Sequence, residues 1–137
     1  MKRTLAISSL VMFGLALPVL GSCIKIGNTD SDCQPGRTCT CDGIGNCDID
    51  CDGGDCTFVC SGIGNCDFTC PDGGCDATLD GTGNATLECP GNGCTMTCSG
   101  TGNCTLDGCT ADCTMNCAVI GNCSMDCTDD TCVINAT

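Results

Sequence analysis

The chain has no His, no Trp and no Tyr, and its only aromatics are three Phe. Without His it has no side chain that titrates ordinarily near neutral pH, the usual acid–base group of enzymes. No Ser sits beside a plausible base, and paired carboxylates such as Asp48 and Asp50 flank strand positions on an open face. The expectation is that this is not an enzyme and has no cofactor. Basic residues are equally scarce: four Lys and Arg stand against 17 acids. Such a chain repels phosphate backbones and anionic lipid headgroups, so nucleic acid is excluded as a partner. With so few aromatics and large aliphatics, it also cannot fold on an ordinary hydrophobic core. Burying a large apolar side chain stabilises by roughly 1.5–3 kcal/mol, against about 1–2 kcal/mol of backbone entropy for every residue ordered.

What it has instead is 21 Cys and 20 Gly, arranged with period 19. The units run from Arg37 to Asp55, Cys56 to Gly74, Cys75 to Gly93, Cys94 to Asp112 and Cys113 to Thr131, with a stub from Cys132 to Thr137. Position 10 is Asn in every unit (Asn46, Asn65, Asn84, Asn103, Asn122), and position 9 is always Gly. Position 13 is always apolar: Ile49, Phe68, Leu87, Leu106, Met125. Each unit holds two runs of alternating residues, such as Cys56 to Cys60 and Cys66 to Cys70, which is the β period. Gly, Asn, Asp and Pro segments between them read as turns. Identical positions stack into ladders if each unit makes one coil. The fold class expected is all-β: a small disulfide-rich parallel β-solenoid of 19-residue coils, with two short strands per coil. An antiparallel meander would use the same strands but leave the period unexplained.

The internal evidence for bridging is in unit three, which lacks Cys at position 5 (Leu79) and also at position 11 (Ala85). Their joint loss pairs position 5 with 11, and position 15 then pairs with position 1 of the next unit. The resulting set is Cys33–Cys39, Cys41–Cys47, Cys51–Cys56, Cys60–Cys66, Cys70–Cys75, Cys89–Cys94, Cys98–Cys104, Cys109–Cys113, Cys117–Cys123 and Cys127–Cys132. The alternative, position 1 with 15 inside a coil, orphans Cys51 and Cys132. Position 3 should face position 13 inside the coil, as Phe58 with Phe68. In unit four the second strand is one residue too long and the next turn one too short, so Gly108 reads as a β-bulge.

Residues 1–22 do not belong to this pattern. Lys2 and Arg3 precede an apolar run from Leu5 to Leu17, the form of a secretory signal peptide. Leu20-Gly-Ser-Cys23 resembles the lipobox of bacterial lipoproteins. That resemblance implies lipid on Cys23, membrane attachment through the acyl chains, and a place in the cell envelope at the outer membrane or surface. It also leaves an even 20 Cys to pair. From Cys23 onward two bases face 17 acids, a net charge of −15. Residues 23–36 read as the lipidated N-terminus and a tether, with Cys33 to Cys39 closing a loop over the first coil. Residues 37–137 read as one repeat domain.

Three further resemblances bear on binding. Abundant Cys is a metallothionein trait, yet only Cys39-Thr-Cys41 has the Cys-x-Cys spacing of those proteins. Gly62-Ile-Gly-Asn-Cys-Asp-Phe68 resembles the nonapeptide of RTX calcium-binding β-rolls, but Cys47, Cys66, Ala85, Cys104 and Cys123 stand where that motif has its ligand Asp. Weak calcium binding is left to acidic turns such as Asp52 to Asp55 and Asp129-Asp130. Positions 2 and 4 of the first strand carry Thr at seven of twelve sites, in pairs such as Thr95/Thr97, which is similar to the Thr arrays of beetle antifreeze proteins. The units also look like exported bacterial repeat proteins of unknown function, a likeness that implies no activity. The sequence thus predicts a lipid-anchored envelope or surface module with a structural or binding role. The second reading is a repeat protein that binds calcium, ice or a crystal surface.

Overall fold

A computed structural model of the chain describes residues 29–137. Every regular element among them is a strand: β1 (Thr29–Cys33), β2 (Thr38–Cys41), β3 (Cys47–Cys51), β4 (Thr57–Cys60), β5 (Cys66–Thr69), β6 (Asp76–Leu79), β7 (Ala85–Glu88), β8 (Thr95–Cys98), β9 (Cys104–Cys109), β10 (Thr114–Cys117), β11 (Cys123–Cys127) and β12 (Val133–Ala136). Odd strands form one six-stranded sheet in the order β1-β3-β5-β7-β9-β11, and even strands form the other, β12-β10-β8-β6-β4-β2. All pairings are parallel, and from β2 onward they are in register at the 19-residue period, for example Phe58↔Ala77 and Phe68↔Leu87, apart from the slip of one residue at the end of β9; β1 pairs with β3 at an offset of 18. The molecule is a parallel β-solenoid of about six coils with two strands per coil.

The alternation of each strand decides what goes inside. In β3 the burial alternates residue by residue, with Cys47, Ile49 and Cys51 inward and Asp48 and Asp50 outward. Inward positions of both sheets meet in a core one side chain thick, lined by Phe58, Leu87, Met96, Leu106 and Met115 between rows of Cys. Phe58 and Phe68 stack face to face inside one coil, with ring centroids 4.6 Å apart and planes at 5°. Among the described residues no buried side-chain nitrogen or oxygen lacks a hydrogen-bond partner. The backbone is satisfied from coil to coil, as in the N–H of Asp76 donating to the carbonyl of Cys56 at 2.9 Å.

The turns follow the same ladder. Ile44, Ile63, Thr82, Thr101 and Ile120 pair in sequence as single parallel bridges, continuing the stack around the corner. Gly64 and Gly83 show why this corner carries glycine. Both have positive φ, 145° and 146°, and a Cβ on either would collide with the backbone of the preceding coil, at Gly45 or Gly64. The next residue is the Asn of each unit. Its side-chain carbonyl accepts the backbone N–H of the Asn one coil on, at 3.1–3.2 Å from Asn46 through Asn122.

Two features differ from the sequence reading. The solenoid starts inside the segment read as a tether: Thr29–Cys33 pairs with β3, Ser31 opposite Ile49 and Cys33 opposite Cys51. This strand has Ser31 at the inward position that is apolar in every other coil, so its pattern is hidden. The Cys33–Cys39 bridge consequently joins coil to coil at a turn and does not cap a loose loop. Its second sulfur comes from Cys39, which occupies the core position paired with Phe58. The bulge, by contrast, lies where the sequence puts it. Cys109 pairs with Cys127 while Leu106 pairs with Met125, so Asp107 and Gly108 together oppose Asp126. Gly108 has φ 72°, the left-handed conformation that favours glycine at such a bulge.

Candidate functional site

The two sheets present different outer faces, and each is built by register. On the odd-numbered sheet the outward columns are acidic. Asp48 stands opposite Asp67, Asp32 opposite Asp50, and Glu88 opposite Asp107. All six side chains are exposed. Stacked strands lie about 4.8 Å apart, so these carboxylates repel one another along the column. On the even-numbered sheet the outward columns are mostly Thr. One runs Thr38, Thr57, Asp76, Thr95, Thr114, Val133, and the other Thr40, Val59, Thr78, Thr97, Asn116, Asn135. Asp76 is its one charge. Toward its C-terminal end the second column is tied by side chains: Asn116 Nδ2 donates to Thr97 Oγ1 at 3.3 Å, and Asn135 Nδ2 to Asn116 Oδ1 at 2.9 Å.

The sulfur sites line the two turns. Ten disulfides close: Cys33–Cys39, Cys41–Cys47, Cys51–Cys56, Cys60–Cys66, Cys70–Cys75, Cys89–Cys94, Cys98–Cys104, Cys109–Cys113, Cys117–Cys123 and Cys127–Cys132. Each spans four to six residues, with Cα atoms 6.1–6.6 Å apart. Leu79 and Ala85 lie buried in the place of the missing bridge, between Cys60–Cys66 and Cys98–Cys104. Cys23 lies outside the described residues.

No family model, curated protein or solved structure matches this chain. Its chemistry must be read from its own faces.

The β-roll calcium geometry is not met. Cys47, Cys66, Ala85 and Cys104 are buried, three of them in bridges, and Cys123 is bridged as well. Where that motif turns an Asp toward an ion, this chain turns a sulfur or a methyl into the core. Among the described residues, the groups of three ligand atoms that converge are Cys51/Cys70/Cys75 and Cys109/Cys113/Cys132. All six are disulfide-bonded and so lack the thiolate that binds a metal. Of the acidic turns, Asp129 Oδ1 already accepts the N–H of Thr131 at 3.2 Å.

Two arrangements were not drawn from the sequence. One is the exposed turn column, where Ile44, Ile63 and Ile120 are 67%, 58% and 79% exposed. Their shared position 8 was the available signal. The other is the approach of sulfur atoms from neighbouring bridges, which the pairing pattern alone does not give.

Proposed function

We propose that this chain is a lipid-anchored, disulfide-stapled module of the cell envelope or surface, with a structural or binding role and no catalysis. The observation that carries the reading is that almost every turn of the solenoid is closed by a bridge. Bridges of this density form and persist in oxidising compartments outside the cytoplasm. They also substitute for a large core, as small scaffolds require. The lipobox-like Leu20-Gly-Ser-Cys23 supports attachment through acyl chains, since a surface this acidic has no electrostatic attraction to anionic lipid. Intact-mass analysis of protein extracted from membranes tests it. A diacylglyceryl or triacyl adduct on Cys23, with release into the soluble fraction on Cys23→Ala, is the expected result. A soluble, unmodified mature chain would overturn the anchoring.

A second reading is favoured by one specific observation, the register of the Thr face. Two in-register columns with a single charge suit a regular, weakly charged surface such as ice or another crystal. Thermal hysteresis that vanishes when Thr95→Leu and Thr97→Leu are combined would support it. An oxidised, folded protein without hysteresis would leave the structural reading alone.

A further inference from the structure

The bridges on one edge of the solenoid are stacked, and at two places the stack is close enough for sulfurs of different bridges to meet. In the interior, Cys51, Cys70 and Cys75 hold their Sγ atoms within 4.8 Å of one another. All three are buried, so no external reagent reaches them. In the last coils, Cys109, Cys113 and Cys132 do the same, and Cys132 Sγ lies 3.9 Å from Cys109 Sγ. Here the environment differs. Cys109 and Cys113 are buried, but Cys127 and Cys132 are only partly so. Cys127 and Cys132 are both half-buried, but Cys127 Sγ lies 3.2 Å from the carbonyl oxygen of exposed Asp129, whereas Cys132 Sγ lies against buried Cys109.

The Cys109–Cys113 bridge is also the irregular one. It closes the shortest separation of the ten, four residues, next to the Gly108 bulge. Its turn contains Asp112 at φ 57°, a left-handed conformation that costs a non-glycine residue free energy. The bridge with the shortest span therefore lies beside a sulfur that an outside thiol can set free.

We infer that Cys127–Cys132 and Cys109–Cys113 form a thiol-triggered exchange pair. An external thiolate, such as that of a small cysteine-containing peptide, attacks Cys127 Sγ. The Cys127–Cys132 bond breaks, the external sulfur is now bonded to Cys127, and the electron pair leaves on Cys132. The Cys132 thiolate then attacks Cys109 Sγ. A Cys109–Cys132 bond forms, the Cys109–Cys113 bond breaks, and the electron pair leaves on Cys113, which takes up a proton. One thiol enters and one thiol is released, so no separate oxidant is needed. The result moves a covalent link from within the β9–β10 turn to between β9 and the start of the last coil. It places a free thiol on Cys113 and keeps Cys132 tethered.

The test is disulfide mapping of the whole oxidised protein after brief exposure to glutathione, quenched in acid and then unfolded in denaturant with N-ethylmaleimide, so that a buried free thiol is trapped as well. The expected products are alkylated Cys113, Cys109 joined to Cys132, and glutathione on Cys127. An intact Cys109–Cys113 bridge with Cys127 or Cys132 carrying the label would overturn the exchange. So would a protein inert to glutathione until it unfolds. The variant Cys127→Ser places the thiol on Cys132 without any reductant, and its label should appear on Cys113. Label on Cys132 alone, in folded C127S, rejects the proposal. Should that variant not fold, the glutathione experiment on the unaltered chain decides by itself.

Discussion

At the scale of single residues, stacking makes some positions intolerant for two separable reasons. Gly93 has φ 70° and open space where a Cβ would go. Gly93→Ala should therefore lose only the conformational term, about 1–2 kcal/mol. Gly83 adds a collision with the backbone of the coil before it, so Gly83→Ala should cost more and shift the neighbouring turn. Chemical denaturation of the two variants measures the difference, and equal losses would mean that the turns are looser than the ladder implies. The Asn column makes a similar point. Asn84 Oδ1 accepts from both the backbone N–H and the Nδ2 of Asn103, at 3.1 and 3.0 Å. Replacing Asn84 with Ala should destabilise by about 1–2 kcal/mol, the sum of two modest net hydrogen bonds.

At the scale of the coil, the period, the strands and the bulge were legible because each is written in positions that recur. An inward Cys or apolar residue, a turn Gly and a turn Asn come back every 19 residues. The first strand was not legible because Thr29–Cys33 carries only the terminal Cys of that pattern, and polar Ser31 sits where the core residue belongs. Its place is dictated by the edge of β3, which needs a partner for its backbone, and that requirement leaves no mark on the sequence of β1. The candidate faces were readable as alternation, but whether neighbouring columns align depended on register, and sulfur contacts between coils depended on three-dimensional distance. Unit three offers a direct test of the coil as an energetic unit. Leu79 and Ala85 stand in register between bridged pairs whose Cα atoms are 6.3 and 6.6 Å apart. Leu79→Cys with Ala85→Cys should close an eleventh bridge and raise stability by roughly 2 kcal/mol on the loop-entropy account. A midpoint that does not rise, with the bridge shown to be formed, would mean that the buried Leu79 already contributes as much by packing.

At the scale of the whole molecule, one sign of charge dominates. From Cys23 onward the formal charge is −15, and on the odd-numbered sheet carboxylates face each other across rungs. Raising ionic strength from about 0.01 M to about 0.15 M shortens the screening length from roughly 30 to 8 Å. The melting temperature of the oxidised protein should rise over that range with sodium chloride alone. A rise seen only with calcium, and not with equal ionic strength of a monovalent salt, would instead point to a specific ion.

Among the described residues every bridge ties positions no more than six apart, and none reaches across more than one turn. Under a pulling force the coils are then held side by side by backbone and side-chain hydrogen bonds and by packing, without covalent ties from sulfur, while each turn is shortened internally by sulfur. A molecule held at one end and pulled at the other should peel coil by coil. Each coil should give out less slack than its 19 residues could span, because tension crosses the turns through the bridges and bypasses the peptide between them. Reduction would lengthen the slack of every step together, which single-molecule stretching can read directly. The protein is in that sense a short, pleated strap whose extensibility is set by the oxidation of its surroundings.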